Sequence, residues 1–276
     1  MLTIGNSFAD SVFEFLPKIA EESEGDALTL ERANHGGCEL DRHWSYVEKE
    51  EAEPNARMYL NGTMKLREIL ESENWDIVTI QQASHKSWQP ESYMPHAEKL
   101  RDYIKKHAPQ AEVVVQQTWA YTADDGRIKK GGAWGFDQSG MYERISKAYA
   151  AAAKTLNLRV IPTGYAIQKA RARQGDRKRP MPSDDYPQTI EFSDDFVGGA
   201  TFEPDAKGEI KQYADTIHLN TRGKYLQACL WFSFLFGKPA LEIKFKPDSI
   251  SEKDAAFIRK TVQNALLEFR QPRDDD

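Results

Sequence analysis

Three residues at opposite ends of the chain have the side-chain types that a covalent acyl-transfer site requires. Ser7 lies in the sequence IGNSF near the start, whereas Asp215 and His218 lie three residues apart near the end. A serine hydroxyl becomes an effective nucleophile when a histidine accepts its proton, and that histidine needs a carboxylate to orient it. The combination predicts Ser7 as nucleophile, His218 as general base and Asp215 as its orienting carboxylate.

Each of these residues also has an ordinary structural explanation. Serine is a favoured helix N-cap residue, so Ser7 could cap the helix that follows it. Asp215 could be a turn carboxylate, and His218 a surface histidine at a helix start. The order of serine first, then aspartate and histidine close together near the end of an α/β chain, favours the catalytic interpretation. The capping and catalytic roles of Ser7 are compatible.

Short apolar segments alternate with amphipathic ones along most of the chain, which predicts a parallel sheet covered by helices on both faces. The predicted strands are residues 2–5, 27–33, 76–81, 112–116 and 158–161. The predicted helices are residues 7–22, 58–70, 97–107, 141–156, 165–173, 219–236 and 252–269. With right-handed crossovers, these elements form a flavodoxin-like three-layer α/β/α fold with a central parallel five-stranded sheet.

The periodicity fails between residues 174 and 214, where Asp, Pro, Gly and Lys are frequent. We expect a polar insertion without regular secondary structure here, within a single domain that spans residues 1–276. A basic run at residues 169–179 precedes the acidic pairs 184–185 and 194–195. These charges neutralise one another, which favours a solvated surface over a nucleic-acid site.

Several chemically interesting residues follow the predicted strands directly. They are Ser7, the glycine pair 36–37, residues 82–85 and residues 119–121. In open α/β sheets, ligands bind beyond the carboxyl ends of the strands. The sequence therefore predicts one site that gathers four distant parts of the chain at this edge.

Four stretches of the chain resemble the SGNH hydrolases, the GDSL-type esterases and lipases, and in particular the branch with Gly-Asn-Ser at the nucleophile. They are residues 4–8 (IGNSF), 34–38 (NHGGC), 80–85 (IQQASH) and 215–219 (DTIHL). The second and third depart from the family's usual lone Gly and later Gly-x-Asn-Asp. The resemblance implies ester hydrolysis through an acyl-enzyme on Ser7, with no cofactor.

The tetrahedral intermediate of such a reaction needs hydrogen-bond donors for its oxyanion. Ser7 N–H at a helix N-terminus is one, and Gly37 N–H is another because a glycine pair lets the backbone approach substrate. The resemblance implies a third donor, a side-chain amide after the third strand, where Gln81 and Gln82 stand. We favour Gln82, which could instead only bind loop backbone. His85 is the alternative donor, and it could also line the pocket or only tie down the loop.

The predicted loops carry the tryptophans Trp88, Trp119 and Trp134. Aromatic rings above such a site often stack on sugar rings, although packing of the loops explains any one of them equally well. With the Gly-Asn-Ser resemblance, they predict a short-chain ester substrate, an acetyl ester on carbohydrate, with Trp119 among the binding residues. The alternatives are a lipase-like or thioesterase-like SGNH enzyme and a non-catalytic carbohydrate-binding protein on the same fold.

Bulk properties narrow the classes of partner. The net charge of −6 does not favour nucleic acid. The longest apolar run, residues 229–236, is too short to insert across a membrane. No histidine or cysteine spacing is typical of a metal site, so no metal is predicted. A secreted or periplasmic protein is expected if a leader was removed before IGNSF, and a cytoplasmic one otherwise; the oligomeric state is not predicted.

Overall fold

A parallel sheet of five strands forms the centre of the molecule, which a computed structural model describes over residues 1–271 except 24 and 26. Its strands are β1 (Leu2–Ile4), β2 (Glu31–Arg32), β3 (Ile77–Ile80), β4 (Glu112–Gln116) and β5 (Arg159–Ile161). Their spatial order is β2-β1-β3-β4-β5, and every neighbouring pair is parallel. The predicted flavodoxin-like three-layer α/β/α fold is confirmed.

Helices cover the two faces of this sheet, which explains why β3 and β4 are apolar almost throughout. The helices are α1 (Ser7–Asp10), α2 (Leu16–Glu21), α3 (Leu40–Ala52), α4 (Leu66–Glu71), α5 (His96–His107), α6 (Gln138–Leu156), α7 (Thr163–Arg173), α8 (Thr221–Phe236) and α9 (Glu252–Glu268). Helix α8 is buried along most of its length. Across the part of the chain that the structure describes, no helix is long and apolar enough to cross a membrane.

Two helix predictions need correction near the nucleophile segment and after β2. The predicted helix 7–22 is divided by a 3₁₀ turn at Ser11–Glu14, and the second part, α2, begins at Leu16 with Pro17 in its first turn. The predicted helix 58–70 begins only at Leu66, because Tyr59 and Met64 pair across a turn that contains Asn61-Gly62. Helix α3 was not predicted from the sequence.

A second, antiparallel sheet occupies much of the segment for which no regular structure was expected. Its strands are β6 (Gln188–Glu191), β7 (Val197–Pro204) and β8 (Ile210–Leu219), in that spatial order. We call it the small sheet. Most of β8 is exposed, β6 alternates between partly buried and exposed residues, and β7 is buried only near its start. The strands therefore lack the regular apolar alternation by which a half-buried strand is recognised. The expectation of an irregular segment is therefore wrong for residues 188–214, whereas residues 174–187 contain no helix or strand.

Candidate active site

Ser7, His218 and Asp215 form a continuous hydrogen-bonded chain at the carboxyl edge of the central sheet. Ser7 Oγ lies 2.9 Å from His218 Nε2. His218 Nδ1 lies 2.8 Å from Asp215 Oδ2 on the other side of the ring. A carboxylate can only accept, so Nδ1 carries a proton and the neutral ring presents an acceptor to Ser7. We call these three residues the triad.

The corner between β1 and α1 presents Ser7 without using its side chain. Asn6, not Ser7, is the N-cap, and its Oδ1 accepts from Phe8 N–H at 3.1 Å. The Ser7 hydroxyl is therefore available to His218. As the first residue of α1, Ser7 also has no intrahelical partner for its N–H. Within residues 1–23, 25 and 27–271, the Ser7 N–H donates to no acceptor.

A compact turn at the end of β8 places the base beside its carboxylate. Asp215 Oδ1 accepts from the backbone N–H groups of Ile217 and His218, both at 3.0 Å. Burial would raise the pKa of Asp215, but the His218 side chain and these two amides outweigh it and hold the pKa well below its usual range. Asn220 caps α8 through Gly223 N–H, so Asp215 is not needed as a cap.

The segment that precedes His218 is fastened to the loop after β4. Trp119 Nε1 donates to the Ile217 carbonyl at 2.8 Å, and Thr122 N–H donates to the Thr216 carbonyl at 2.9 Å. Thr216 Oγ1 also donates to Asp125 at 2.5 Å. These bonds fix the backbone that carries the base.

Trp119 does not line an open substrate site. Its side chain is fully buried, and its ring stacks on Phe8 with centroids 4.1 Å apart and an interplanar angle of 6°. Phe8 in turn contacts the His218 ring edge-on at 5.6 Å. Trp119 therefore packs against Phe8, which in turn contacts the triad histidine. Because Trp119 is buried, the structure gives no support to its predicted role in binding substrate.

Gly37 lies in a turn that is bonded to the nucleophile corner. Cys38 N–H closes the turn on the His35 carbonyl at 3.2 Å, and Gly37 has a φ of +61°, which suits glycine. His35 N–H donates to Gly5 O at 3.0 Å, and Asn6 Nδ2 donates to Cys38 O at 3.1 Å. The structure thus brings Gly37 to the corner, where its N–H meets no acceptor among the described residues.

The structure does not bring the Gln82 amide into this group. Gln82 is fully buried, and its Nε2 donates to Ser92 O at 2.7 Å and to Ser92 Oγ at 3.1 Å. Its Oε1 accepts from the N–H groups of Leu40 and Ala83. Both amide hydrogens are used, so none is left for an oxyanion. Gln82 joins the loop after β3 to the start of α3, as the alternative interpretation has it.

The other two candidates after β3 differ in accessibility. Gln81 is fully buried and donates from Nε2 to Asn6 Oδ1 at 3.2 Å, so it braces the nucleophile corner. The His85 side chain is 41% exposed, and its Nε2 lies 3.0 Å from Glu39 Oε1. Burial would raise the pKa of Glu39, but His85 and the nearby Lys86 lower it. Of the predicted side-chain donors, His85 is the accessible one.

Trp88 and Trp134 pack against each other at a centroid distance of 5.4 Å. Trp88 also contacts Phe136 at 5.0 Å, and Trp134 contacts Tyr121 at 5.7 Å. All four rings come from the loops after β3 and β4. This half-buried cluster supports the interpretation that the loop tryptophans pack the loops together.

His43 is a residue of the site that was not predicted from the sequence. It is fully buried on α3, and its Nε2 lies 2.9 Å from the carbonyl oxygen of Gly5, next to the corner. Its spacing from the buried Leu40 and Val47 is that of an amphipathic helix, which a periodicity search of residues 40–52 could have detected. The described residues contain no group of three or more His, Cys, Asp or Glu side chains that could hold a metal ion.

The chain matches, over residues 1–203, the family described as "Domain of unknown function (DUF4886)". The chain belongs to the DUF4886 family. The crystal structure of a DUF4886 family protein from Bacteroides uniformis is similar over 97% of this chain and 94% of that chain, at 27% identity and a TM-score of 0.72. No curated protein matches this DUF4886 chain.

Two further solved structures share the fold at lower identity. A protein from Slackia heliotrinireducens, proposed to be an SGNH hydrolase, has a TM-score of 0.53 and 20% identity, covering 85% of this chain and 97% of that chain. A protein from Parabacteroides merdae, proposed to be a GDSL-like lipase, has a TM-score of 0.50 and 13% identity, covering 86% and 95%. This DUF4886 chain therefore has the SGNH hydrolase fold.

Proposed function

We propose that this protein is a serine esterase that hydrolyses short-chain esters through an acyl-enzyme on Ser7. The observation that carries the proposal is the distance of 2.9 Å between Ser7 Oγ and His218 Nε2 in a ring whose other nitrogen is held by Asp215. Nucleophile, base and orienting carboxylate come from opposite ends of the chain, and this arrangement is the one that covalent acyl transfer needs.

The reaction follows from the position of each atom in the triad. Ser7 Oγ attacks the ester carbonyl carbon while its proton passes to His218 Nε2, and the ionised Asp215 stabilises the imidazolium. The tetrahedral intermediate then loses the alcohol, whose oxygen takes the proton from His218. Water, activated by the same ring, attacks the acyl-enzyme and releases the acid and free Ser7.

Two backbone amides and one side chain are the proposed oxyanion donors. Ser7 N–H and Gly37 N–H meet no acceptor within the described part of the chain, and both belong to the corner region. His85 takes the place first given to Gln82, because it is partly exposed after β3 whereas both amide hydrogens of the buried Gln82 are used. To serve as a donor, the Nε2–H of His85 would turn from Glu39, which it meets at 3.0 Å, to the oxyanion. Each such donor typically contributes about 3 kcal/mol to lowering the barrier.

The surroundings of the corner support a small acyl group. The segment bonded to the corner carries the partly exposed polar side chains of Asn34, His35 and Glu39, and His85 contacts Glu39. A long acyl chain would require an apolar groove at Ser7, as in a lipase. Acetyl is therefore the proposed acyl group, and carbohydrate the proposed alcohol, the latter also supported by the Gly-Asn-Ser resemblance.

Covalent labelling tests the proposal directly. A fluorophosphonate probe should label the purified protein at Ser7, and Ser7→Ala should abolish both labelling and hydrolysis of 4-nitrophenyl acetate. Ser45→Ala, which changes an exposed serine on α3, is the matched control and should behave like wild type. Labelling of Ser7→Ala to the wild-type extent would refute the proposal. A preference for octanoyl over acetyl esters would favour the lipase-like alternative.

A further inference from the structure

A cavity of about 260 Å³ lies on the small sheet beside the triad. Asp215 and His218 form one side of it, and residues of all three strands form the rest. The strands that build it come from the segment 188–219, outside the central five-stranded sheet. The cavity is thus a feature that the small sheet adds next to the base.

Strand register places a defined set of side chains on the cavity's sheet face. Thr189, Thr201 and Tyr213 are paired across β6, β7 and β8 and form one row. The next row on the same face is occupied by Glu191, Gly199 and Asp215, because alternate residues of a strand point to the same side. All six line the cavity. The carboxylate of the triad therefore shares a face with these hydroxyl and aromatic groups.

The chemistry of this face suits a hydroxyl-rich molecule. The hydroxyls of Thr189 and Thr201 lie 3.0 Å apart, and each keeps further capacity to donate or accept. The Tyr213 side chain is 54% exposed, so its ring offers an apolar surface with a polar tip. Gly199 has no side chain, which leaves a gap between Glu191 and Asp215.

Charge at the cavity distinguishes among such molecules. Glu191 and Asp215 both face it, so an anionic group would meet two carboxylates. Glu191 is held in place by the backbone N–H and the hydroxyl of Thr221, at 3.0 and 2.9 Å. An uncharged ligand avoids this repulsion and can donate hydroxyl hydrogens to these carboxylates.

The position of the cavity relative to His218 indicates which half of an ester it would receive. The departing alcohol oxygen takes its proton from His218 Nε2, so the alcohol leaves on the side of this ring. The cavity lies along His218. We propose, resting on the esterase function proposed above, that this small-sheet cavity binds the alcohol portion of the substrate and selects an uncharged sugar.

Paired substrates test this assignment. The first is an O-acetylated methyl glucoside, and the second is 4-nitrophenyl acetate, whose alcohol portion carries no sugar hydroxyls. Tyr213→Ala should lower kcat/KM for the glucoside by about tenfold, mainly through KM, and Thr201→Val should act in the same direction. For 4-nitrophenyl acetate, the fall in kcat/KM caused by the same two substitutions should be several-fold smaller. Ile210→Ala is the control, because Ile210 is an exposed apolar residue on the opposite face of β8.

The outcomes separate this assignment from the esterase proposal. Equal losses of Tyr213→Ala on both substrates, or no loss on either, would overturn the sugar site. So would wild-type protein that hydrolyses the aryl ester but not the glucoside. Wild-type protein that hydrolyses neither substrate would overturn the esterase function and this site with it.

A charged analogue adds a second test of the same site. An O-acetylated methyl glucuronoside carries one carboxylate and should be hydrolysed with a kcat/KM at least several-fold below that of the glucoside. Glu191→Gln should reduce this difference, because it removes one of the two facing charges and keeps an oxygen for Thr221. Equal rates for the two glycosides in wild-type protein would contradict selection of an uncharged sugar.

Discussion

The buried imidazole of His43 donates a hydrogen bond of 2.9 Å from Nε2 to the backbone carbonyl of Gly5, two residues before Ser7. A carbonyl can only accept, so Nε2 carries the hydrogen and the neutral ring accepts from Tyr59 O–H through Nδ1, at 3.1 Å. Burial lowers the pKa of His43 to about 4, which keeps the ring neutral at physiological pH. An uncharged, buried histidine on α3 is therefore hydrogen-bonded to the backbone of the nucleophile corner.

His43 should make the fold less stable in mild acid. Between its unfolded pKa near 6.5 and its folded value near 4, the unfolded chain binds the extra proton, so stability falls as pH is lowered through this window. The contribution is about 2 kcal/mol between pH 7 and pH 5. Urea unfolding of His43→Phe should show a pH dependence smaller than that of wild type by this amount. An identical pH dependence would contradict a neutral, buried His43.

Trp119→Phe should slow the reaction without weakening substrate binding. The variant keeps an aromatic ring against Phe8 but loses the hydrogen bond to the Ile217 carbonyl, at a cost of about 1 kcal/mol of stability. We expect kcat to fall because His218 becomes less firmly positioned, while KM stays close to wild type. Steady-state kinetics checks this expectation. A raised KM with unchanged kcat would return Trp119 to the substrate site.

Trp44→Phe is the matched control for that experiment. Its indole also donates one hydrogen bond, to Glu48 at 2.6 Å, but it lies on α3 and makes no contact with the segment before His218. It should leave kcat unchanged.

Gln82→Ala and His85→Ala should separate structural from catalytic effects. Removal of the Gln82 amide leaves its partners at Leu40, Ala83 and Ser92 unpaired, so its main effect should be a loss of roughly 1–3 kcal/mol in unfolding free energy. His85→Ala should lower kcat by roughly 10²-fold with little change in KM, since an oxyanion donor acts mainly in the transition state. Kinetics and urea unfolding on both variants check the ranking. A larger fall in kcat for Gln82→Ala than for His85→Ala would return the oxyanion role to Gln82.

Activity should be higher at neutral than at acid pH, because only the neutral ring of His218 accepts a proton from Ser7. The hydrogen bonds from His218 and Ile217 keep the pKa of Asp215 so low that this carboxylate stays ionised across the acid limb. On its acid side, the plot of kcat/KM against pH should therefore show one ionisation and not two. Asp215→Asn should lower kcat by on the order of 10⁴-fold, since the amide would favour the wrong tautomer. A flat profile between pH 5 and 8 would exclude a histidine base.

The low pKa of Asp215 also has a consequence for stability. Its folded pKa lies below the unfolded value, so its stabilising contribution is present above about pH 4 and is lost as pH falls further. The fold loses stability in acid through both residues. The loss that comes from His43 occurs between about pH 6.5 and 4, and the loss that comes from Asp215 occurs below about pH 4.

Local sequence determined the elements of the central sheet and the reactive residue types. Strands β3 and β4 were predictable within a residue or two because they are buried on both faces, which makes most of their residues apolar. Ser7, Asp215 and His218 were recognisable because their chemistry depends on side-chain type. Their order along the chain also set them apart from chance matches.

Only the tertiary structure decided which of the neighbouring polar and aromatic residues face the corner. Gln81 and Gln82 are chemically identical, and their roles differ because one meets Asn6 and the other meets Ser92, residues far apart in sequence. Trp119 is buried because Phe8, more than a hundred residues earlier, lies against it. The small sheet escaped detection because its exposed strands are held by pairing with one another. The contacts of Gln81 with Asn6 and of Trp119 with Phe8 join distant parts of the chain, and no local pattern of residues encodes them.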